Sequence, residues 1–167
     1  PNPPAALWQQ RPVLTRLDSF LAPKPLRYMV AQTTKALDFG SVLDSGKILL
    51  ARLSQGALGR DNAQLLGSLL VTKIHQAAMT RQRQAEAARR DFWLYLDEFH
   101  EFMTPSMAEI LTGARKYRLG LTLAHQDLHQ LQREPEVASA VLANAHTRIC
   151  FRVGDDDARA LENGFAS

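Results

Sequence analysis

Phe92-Trp93-Leu94-Tyr95-Leu96-Asp97-Glu98 is a short apolar run that ends in two adjacent carboxylates. Its length and its charged boundaries predict a buried strand. Paired acids at a strand tip suit a phosphate-handling site. One carboxylate holds Mg²⁺ through its water shell, and the next polarises the water that attacks a terminal phosphoryl group. The same two residues also suit a plain acidic cap, where Asp97 and Glu98 meet solvent. This stretch alone does not choose between the two.

The surrounding pattern extends the strand reading. Lys47–Leu53 (KILLARL), Leu119–Ala124 (LGLTLA) and Thr147–Val153 (TRICFRV) are further short apolar runs, each predicted as a strand. Between them lie helical stretches. Asp61 or Asn62 caps a long helix reaching about Gln82, with Ala63, Leu66, Leu70, Ile74 and Ala77 on one face. Ser106 and Glu109 have capping-box spacing for a helix over 106–117. Short helices follow over 127–132 and 136–143, and a last one over 155–162, with Asn163-Gly164 as its stop. Ser54–Arg60 reads as a glycine-containing loop. Strands alternating with helices predict an α/β fold with a parallel, helix-covered sheet. In such sheets ligands sit beyond the carboxyl ends of the strands, which singles out Asp97, Glu98, His125 and Gln126.

Residues 1–40 are less regular. Pro12, Pro23 and Pro25 break them into short predicted helices, a lead-in or linker to a domain over 41–167. Trp8 and the proline-rich start offer a docking patch or nothing more than a linker. The 167 residues suffice for one domain, and 46% hydrophobic with 22% charged content is that of a soluble globular chain. No apolar run approaches the length of a membrane span. The formal charge of +3 permits nucleic acid without arguing for it. Arg81, Arg83, Arg89 and Arg90, with Lys73 upstream, fit a solvated helix end and flexible loop at least as well. Cys150 is the single cysteine, which excludes an internal disulfide and fits a reducing compartment. Its neighbours Ile149 and Phe151 predict a buried strand position. His125 and His129 are four apart, but a strand end does not give them helical geometry for a shared metal. Asp155-Asp156-Asp157 opens a helix, where acids suit the dipole.

Taken in order, Phe92–His100, the block Ala114–Gln126 (ARKYRLGLTLAHQ), and Arg148–Gly154 resemble ATPases of the HerA/VirD4/FtsK type. The nearest branch is the VirD4/TraG/TraD-like conjugative coupling proteins and their HerA-like relatives. The resemblance spans residues 38–163. It implies a partial RecA-like sheet in an ATP-driven DNA translocase, usually a hexameric ring. It also implies ATP and Mg²⁺ as cofactors, DNA as partner, and a bacterial cytoplasmic location, with any inner-membrane attachment through segments outside this chain. Asp97 would be the Walker B magnesium carboxylate, Glu98 the catalytic glutamate, Gln126 the motif III glutamine, and Arg115 an arginine finger acting across a ring interface. His100 stands where Gln or a similar polar residue is expected and His125 where Asn is usual.

A Walker A loop needs GxxxxGK[ST]. The stretch Gly40–Ile48 has one residue too many between its glycines and Ile in place of Ser or Thr. Asp44-Ser45-Gly46 is instead expected to be a turn feeding the strand at Lys47. The sheet is therefore expected to lack its central, Walker A strand, and this segment is not expected to hydrolyse ATP alone. Two alternatives stand beside the motor: a non-catalytic RecA-like scaffold for assembly or partner binding, and another enzyme sharing Walker B by general ancestry, such as a helicase.

Overall fold

The carboxyl end of a long helix in this chain is closed by a buried guanidinium. The computed structural model describes residues 5–34 and 37–165. The Pro1–Pro4 linker reading and the Trp8 side chain lie outside the described residues. Contacts divide the chain into two units, Pro1–Asp38 with Leu50–Leu66, and Phe39–Leu49 with Gly67–Ser167.

The first unit is helical. α1 (Ala5–Leu21) runs through Pro12, so that proline does not end it as expected. Proline removes one N–H from the ladder, and the neighbouring turns hold. α2 (Lys24–Val30) has Pro25 in its first turn, where no amide partner is needed. The glycine-containing stretch before the long helix folds into a single turn, α4 (Gln55–Leu58), and Gly59 at φ +81 ends it. Asn62 then joins two elements, donating to the carbonyl of Ser19 (3.2 Å) and to that of Leu58 (2.9 Å).

The second unit contains α3 (Phe39–Asp44) and the Gly67–Thr80 part of α5 (Arg60–Thr80). β1 (Phe92–Leu96), α6 (Ser106–Gly113), β2 (Leu119–Leu123), α7 (Pro135–Asn144) and α8 (Asp155–Phe165) follow. β1 and β2 pair in parallel, from Phe92 opposite Leu119 to Leu96 opposite Leu123. The core packs Val42, Leu43, Val71, Ile74, Phe99, Met107, Ile110, Leu119, Leu131 and Val137, with Phe92, Leu94 and Leu96 against it.

Several expectations change. Among the described residues the sheet has two strands, not four. Residues 47–53 and 147–153 form no ladder, and Ile48, Leu50, Ile149 and Phe151 are 77–89% exposed. An apolar run becomes a strand only when a neighbour offers its N–H and C=O groups, and here none does. Cys150 is exposed accordingly. β1 is covered on one face only. Trp93 and Tyr95 are exposed, and the Trp93 ring occupies the space a side chain at Gly120 would need. The capping box does not form: Ser106 is the first helical residue, and Pro105 precedes it without a side-chain cap. The helix predicted over 106–117 ends at Gly113 and tightens to a 3₁₀ turn over Ala114–Tyr117. The helix expected over 127–132 is a 3₁₀ turn, His129–Arg133. Asn163-Gly164 does not stop α8, which runs to Phe165. The turn at Ser45-Gly46 is present, Gly46 at φ +66 with the Arg90 guanidinium packed against it, but it feeds no strand.

On α5, Ala63, Leu66 and Ile74 are buried as the periodicity predicts, and so are Val71, His75 and Ala78. Arg81, just beyond, is 1% exposed. Its Nε donates to Asp44 Oδ1, and its Nη1 donates to the carbonyls of Arg90 and Tyr117, each at 2.9 Å. Removing it leaves two carbonyls without their side-chain donor and takes the cation from Asp44, which keeps only its bond from Gln84. Arg81→Ala should therefore cost about 3 kcal/mol, read as a lower urea midpoint. Arg83→Ala, at an exposed position, should cost within about 0.5 kcal/mol.

His75 is 7% exposed. Burial holds its pKa below 6.5, against the upward pull of the Glu109 carboxylate. The folded state thus keeps His75 neutral at pH values where the unfolded chain takes up a proton. Stability should be full above pH 6.5 and fall below it, by at most about 1.4 kcal/mol per pH unit. Urea unfolding between pH 7.5 and 5.5 checks this, and His75→Gln should remove the slope.

Candidate functional site

The parallel register brings the carboxyl ends of β1 and β2 level, so the residues just beyond them meet. The ladder continues one step: Ala124 N–H donates to Leu96 O (2.9 Å), and Phe99 N–H donates to Ala124 O (3.0 Å). Between these bonds the chain turns at Glu98, which sits in the left-handed region at φ 49, ψ 45. Only Glu98 and Arg118 do this without being glycine, among the described residues.

The turn sets Glu98 against Gln126, whose Nε2 donates to Glu98 Oε1 at 2.6 Å. The other oxygen, Oε2, is buried and has no aligned hydrogen-bond partner. His100 Nδ1 lies 3.3 Å from it, within ion-pair distance but off the angle of a hydrogen bond, and is itself buried without an aligned partner. His100 Nε2 is 3.7 Å from Glu101 Oε1. Asp97 is exposed, and its Oδ1 accepts from the Glu98 N–H (3.1 Å). His125 stacks edge-on to Phe99, with centroids 5.3 Å apart, and its Nδ1 lies 2.9 Å from Asp127 O. It is held by structure on both sides. Asp127 Oδ1 in turn receives the Gln130 N–H, and Asp157 Oδ2 receives the Leu128 N–H.

Asp97, Glu98 and Gln126 are thus brought together, and Arg115 is not. Arg115 is exposed on the 3₁₀ turn leading into the amino end of β2, without a side-chain partner among the described residues. Glu98 and Gln126 follow the carboxyl ends. His100 was noted in the sequence only as a departure from a pattern; its closeness to both Glu98 and Glu101 depends on the 3₁₀ turn Phe99–Phe102. Among the described residues no group of three His, Cys, Asp or Glu side chains is arranged to hold a metal directly. No helix among them is long and apolar enough to cross a membrane.

Residues 91–162 match the family model described as the TraM recognition site of TraD and TraG. This segment is related to the conjugative coupling proteins. No curated protein and no solved structure matches the chain. The coupling-protein match begins one residue before β1 and runs into α8, so it contains Asp97, Glu98, His100, Arg115 and Gln126 together.

A left-handed glutamate whose buried Oε2 lacks an aligned hydrogen bond carries strain on two counts, and such strain concentrates at functional sites. In a Gln126→Ala background, where the Gln126 hydrogen bond is already gone, Glu98→Gly should stabilise the chain by about 1 kcal/mol. Chemical denaturation of the single and double variants measures it. A double variant less stable than Gln126→Ala would show that Glu98 is not strained.

Proposed function

We propose that this chain is the part of a conjugative coupling protein's RecA-like motor that supplies the water-activating half of an ATPase site. The observation that carries the reading is the Glu98 carboxylate, tethered through Oε1 by Gln126 while Oε2 is buried without an aligned hydrogen bond, 3.3 Å from His100 Nδ1. A purely structural cap would leave both oxygens to solvent. A buried acceptor without a donor calls for one, and a polarised water fits it. Asp97, one residue earlier and exposed, suits a Mg²⁺ water shell. Mg²⁺-ATP, when bound, would supply the phosphoryl electrophile and its charge neutralisation. Glu98 would take the water proton at Oε2, and Gln126 would keep the carboxylate from rotating. Arg115, at the far end of the strand pair, fits a role toward a neighbouring copy in a ring. A bacterial cytoplasmic setting follows from this reading.

The stretch around Gly40–Ile48 offers no phosphate cradle. Gly40 lies in α3, and the Lys47 ammonium donates to Ser41 Oγ at 2.8 Å. On this reading the phosphate-binding loop comes from another segment. In a polypeptide joining such a loop to residues 1–167, Glu98→Gln should lower ATP turnover at least about 100-fold with nucleotide binding retained. Residues 1–167 alone should show no turnover that depends on Glu98. Glu98-dependent turnover by residues 1–167 sinks the divided site, and full turnover by the joined Glu98→Gln variant sinks the catalytic role.

The family description favours a second reading, recognition of a TraM-like protein through residues 91–162. Calorimetric titration of residues 1–167 with such a partner tests it independently of turnover.

A further inference from the structure

The chain's positive charge is gathered at the end of the strand pair opposite the Glu98 site. Arg81 donates to the carbonyls of Arg90 and Tyr117, and Arg89 donates to those of Gln84 (2.9 Å) and Lys116. These two guanidinium groups are spent inside the fold, and they draw residues 81–91 and 114–118 onto one another. What the two segments leave outside is cationic. Arg83, Arg90, Arg115, Lys116 and Arg118 are all exposed. They make five cations against two carboxylates, Glu86 and Asp91, and Asp91 is already 3.3 Å from Arg118. That local excess of three equals the formal +3 of the whole chain, so the rest of the surface has no net basic character.

We infer that this base binds the phosphate backbone of nucleic acid. The cations are mostly arginines, always charged and shaped to grip phosphate through paired donors. Their backbones are fixed by internal hydrogen bonds, so little ordering entropy is lost on binding. The exposed alanines between them, Ala85, Ala87 and Ala88, offer no apolar wedge for a bilayer and no anchor for a protein hot spot. The inference rests on the reading above for DNA as partner, but not on the ATPase site.

Fluorescence anisotropy of residues 1–167 with a labelled duplex of about 20 base pairs, across KCl concentrations, tests it. The variant Arg83→Gln/Arg90→Gln/Lys116→Gln should raise Kd at least about tenfold and flatten the salt slope by about two to three. Arg115 stays in place, so its proposed role toward a neighbouring copy is not disturbed. Arg133→Gln/Arg152→Gln, exposed cations outside the two segments, should change Kd less than about twofold. If the triple variant does not fold, Arg83→Gln and Lys116→Gln singly should each weaken binding measurably. Equal losses in the control variant, or none in the triple or single variants, overturn the inference. So does displacement of the duplex by vesicles containing phosphatidylserine. No binding by the unaltered chain at low salt overturns DNA as partner along with this surface. A failed ATPase reading would show in turnover and leave these titrations unchanged.

Discussion

The Arg81 guanidinium is the interaction on which the arrangement of the second unit depends. A buried cation costs several kcal/mol in lost hydration unless its donors are met. Arg81 offsets most of that cost through Nε and Nη1, with acceptors from three places: Asp44 at the end of α3, the Arg90 carbonyl before β1, and the Tyr117 carbonyl before β2; its Nη2 is buried without a partner. Gln84 donates to the other oxygen of Asp44 at 2.9 Å, so the carboxylate is held too. The two strands consequently start level, with Phe92 N–H donating to Arg118 O at 3.0 Å. Five residues later they also end level. Glu98 and Gln126 meet because of a constraint set at the other end of the ladder, since a slip of one residue would turn every side chain to the opposite face.

That dependence explains which parts were legible in the sequence. The runs FWLYL, ending at Asp97-Glu98, and LGLTLA, ending at His125-Gln126, are local signals, and the parallel pair they predict is present. The closeness of Glu98 and Gln126 followed from reading both as residues at strand tips. Arg81 was not legible. In sequence it is one arginine among Arg81, Arg83, Arg89 and Arg90, and nothing local separates the buried one from its exposed neighbours. The difference lies in carbonyls supplied by residues up to 36 positions away. The runs at 47–53 and 147–153 failed for a related reason. Their composition matches that of β2, but a strand is a property of a pair, and the partner's edge is not encoded in the run itself.

The two left-handed residues mark where this design carries strain. Arg118 turns the chain into β2, and its carbonyl is thereby presented to Phe92; Glu98 turns the chain out of β1, and Phe99 N–H thereby reaches Ala124 O. Glycine would take either conformation with less strain. At 118 the side chain returns something, an ion pair with Asp91, though at a solvent-exposed position such a pair is worth little. At 98 the side chain returns a hydrogen bond from Gln126 and leaves a buried oxygen 3.3 Å from His100 Nδ1 without an aligned hydrogen bond. The local stability balance is therefore worse at Glu98 than at Arg118.

A parallel pair also separates charge in a way an antiparallel hairpin cannot. Both strands enter at one end and leave at the other, so the residues before them gather at one pole and the residues after them at the opposite pole. Here the entering segments are arginine-rich, and the leaving segments carry Asp97, Glu98 and Glu101. The carboxylates are thus kept a full strand length, about 17 Å, from the cations. That is beyond the Debye length at physiological salt, so the cationic base neither neutralises Glu98 nor fills its open oxygen. A chain that needed only stability would pair these charges. Keeping them at opposite poles gives the strand pair an acidic end and a basic end.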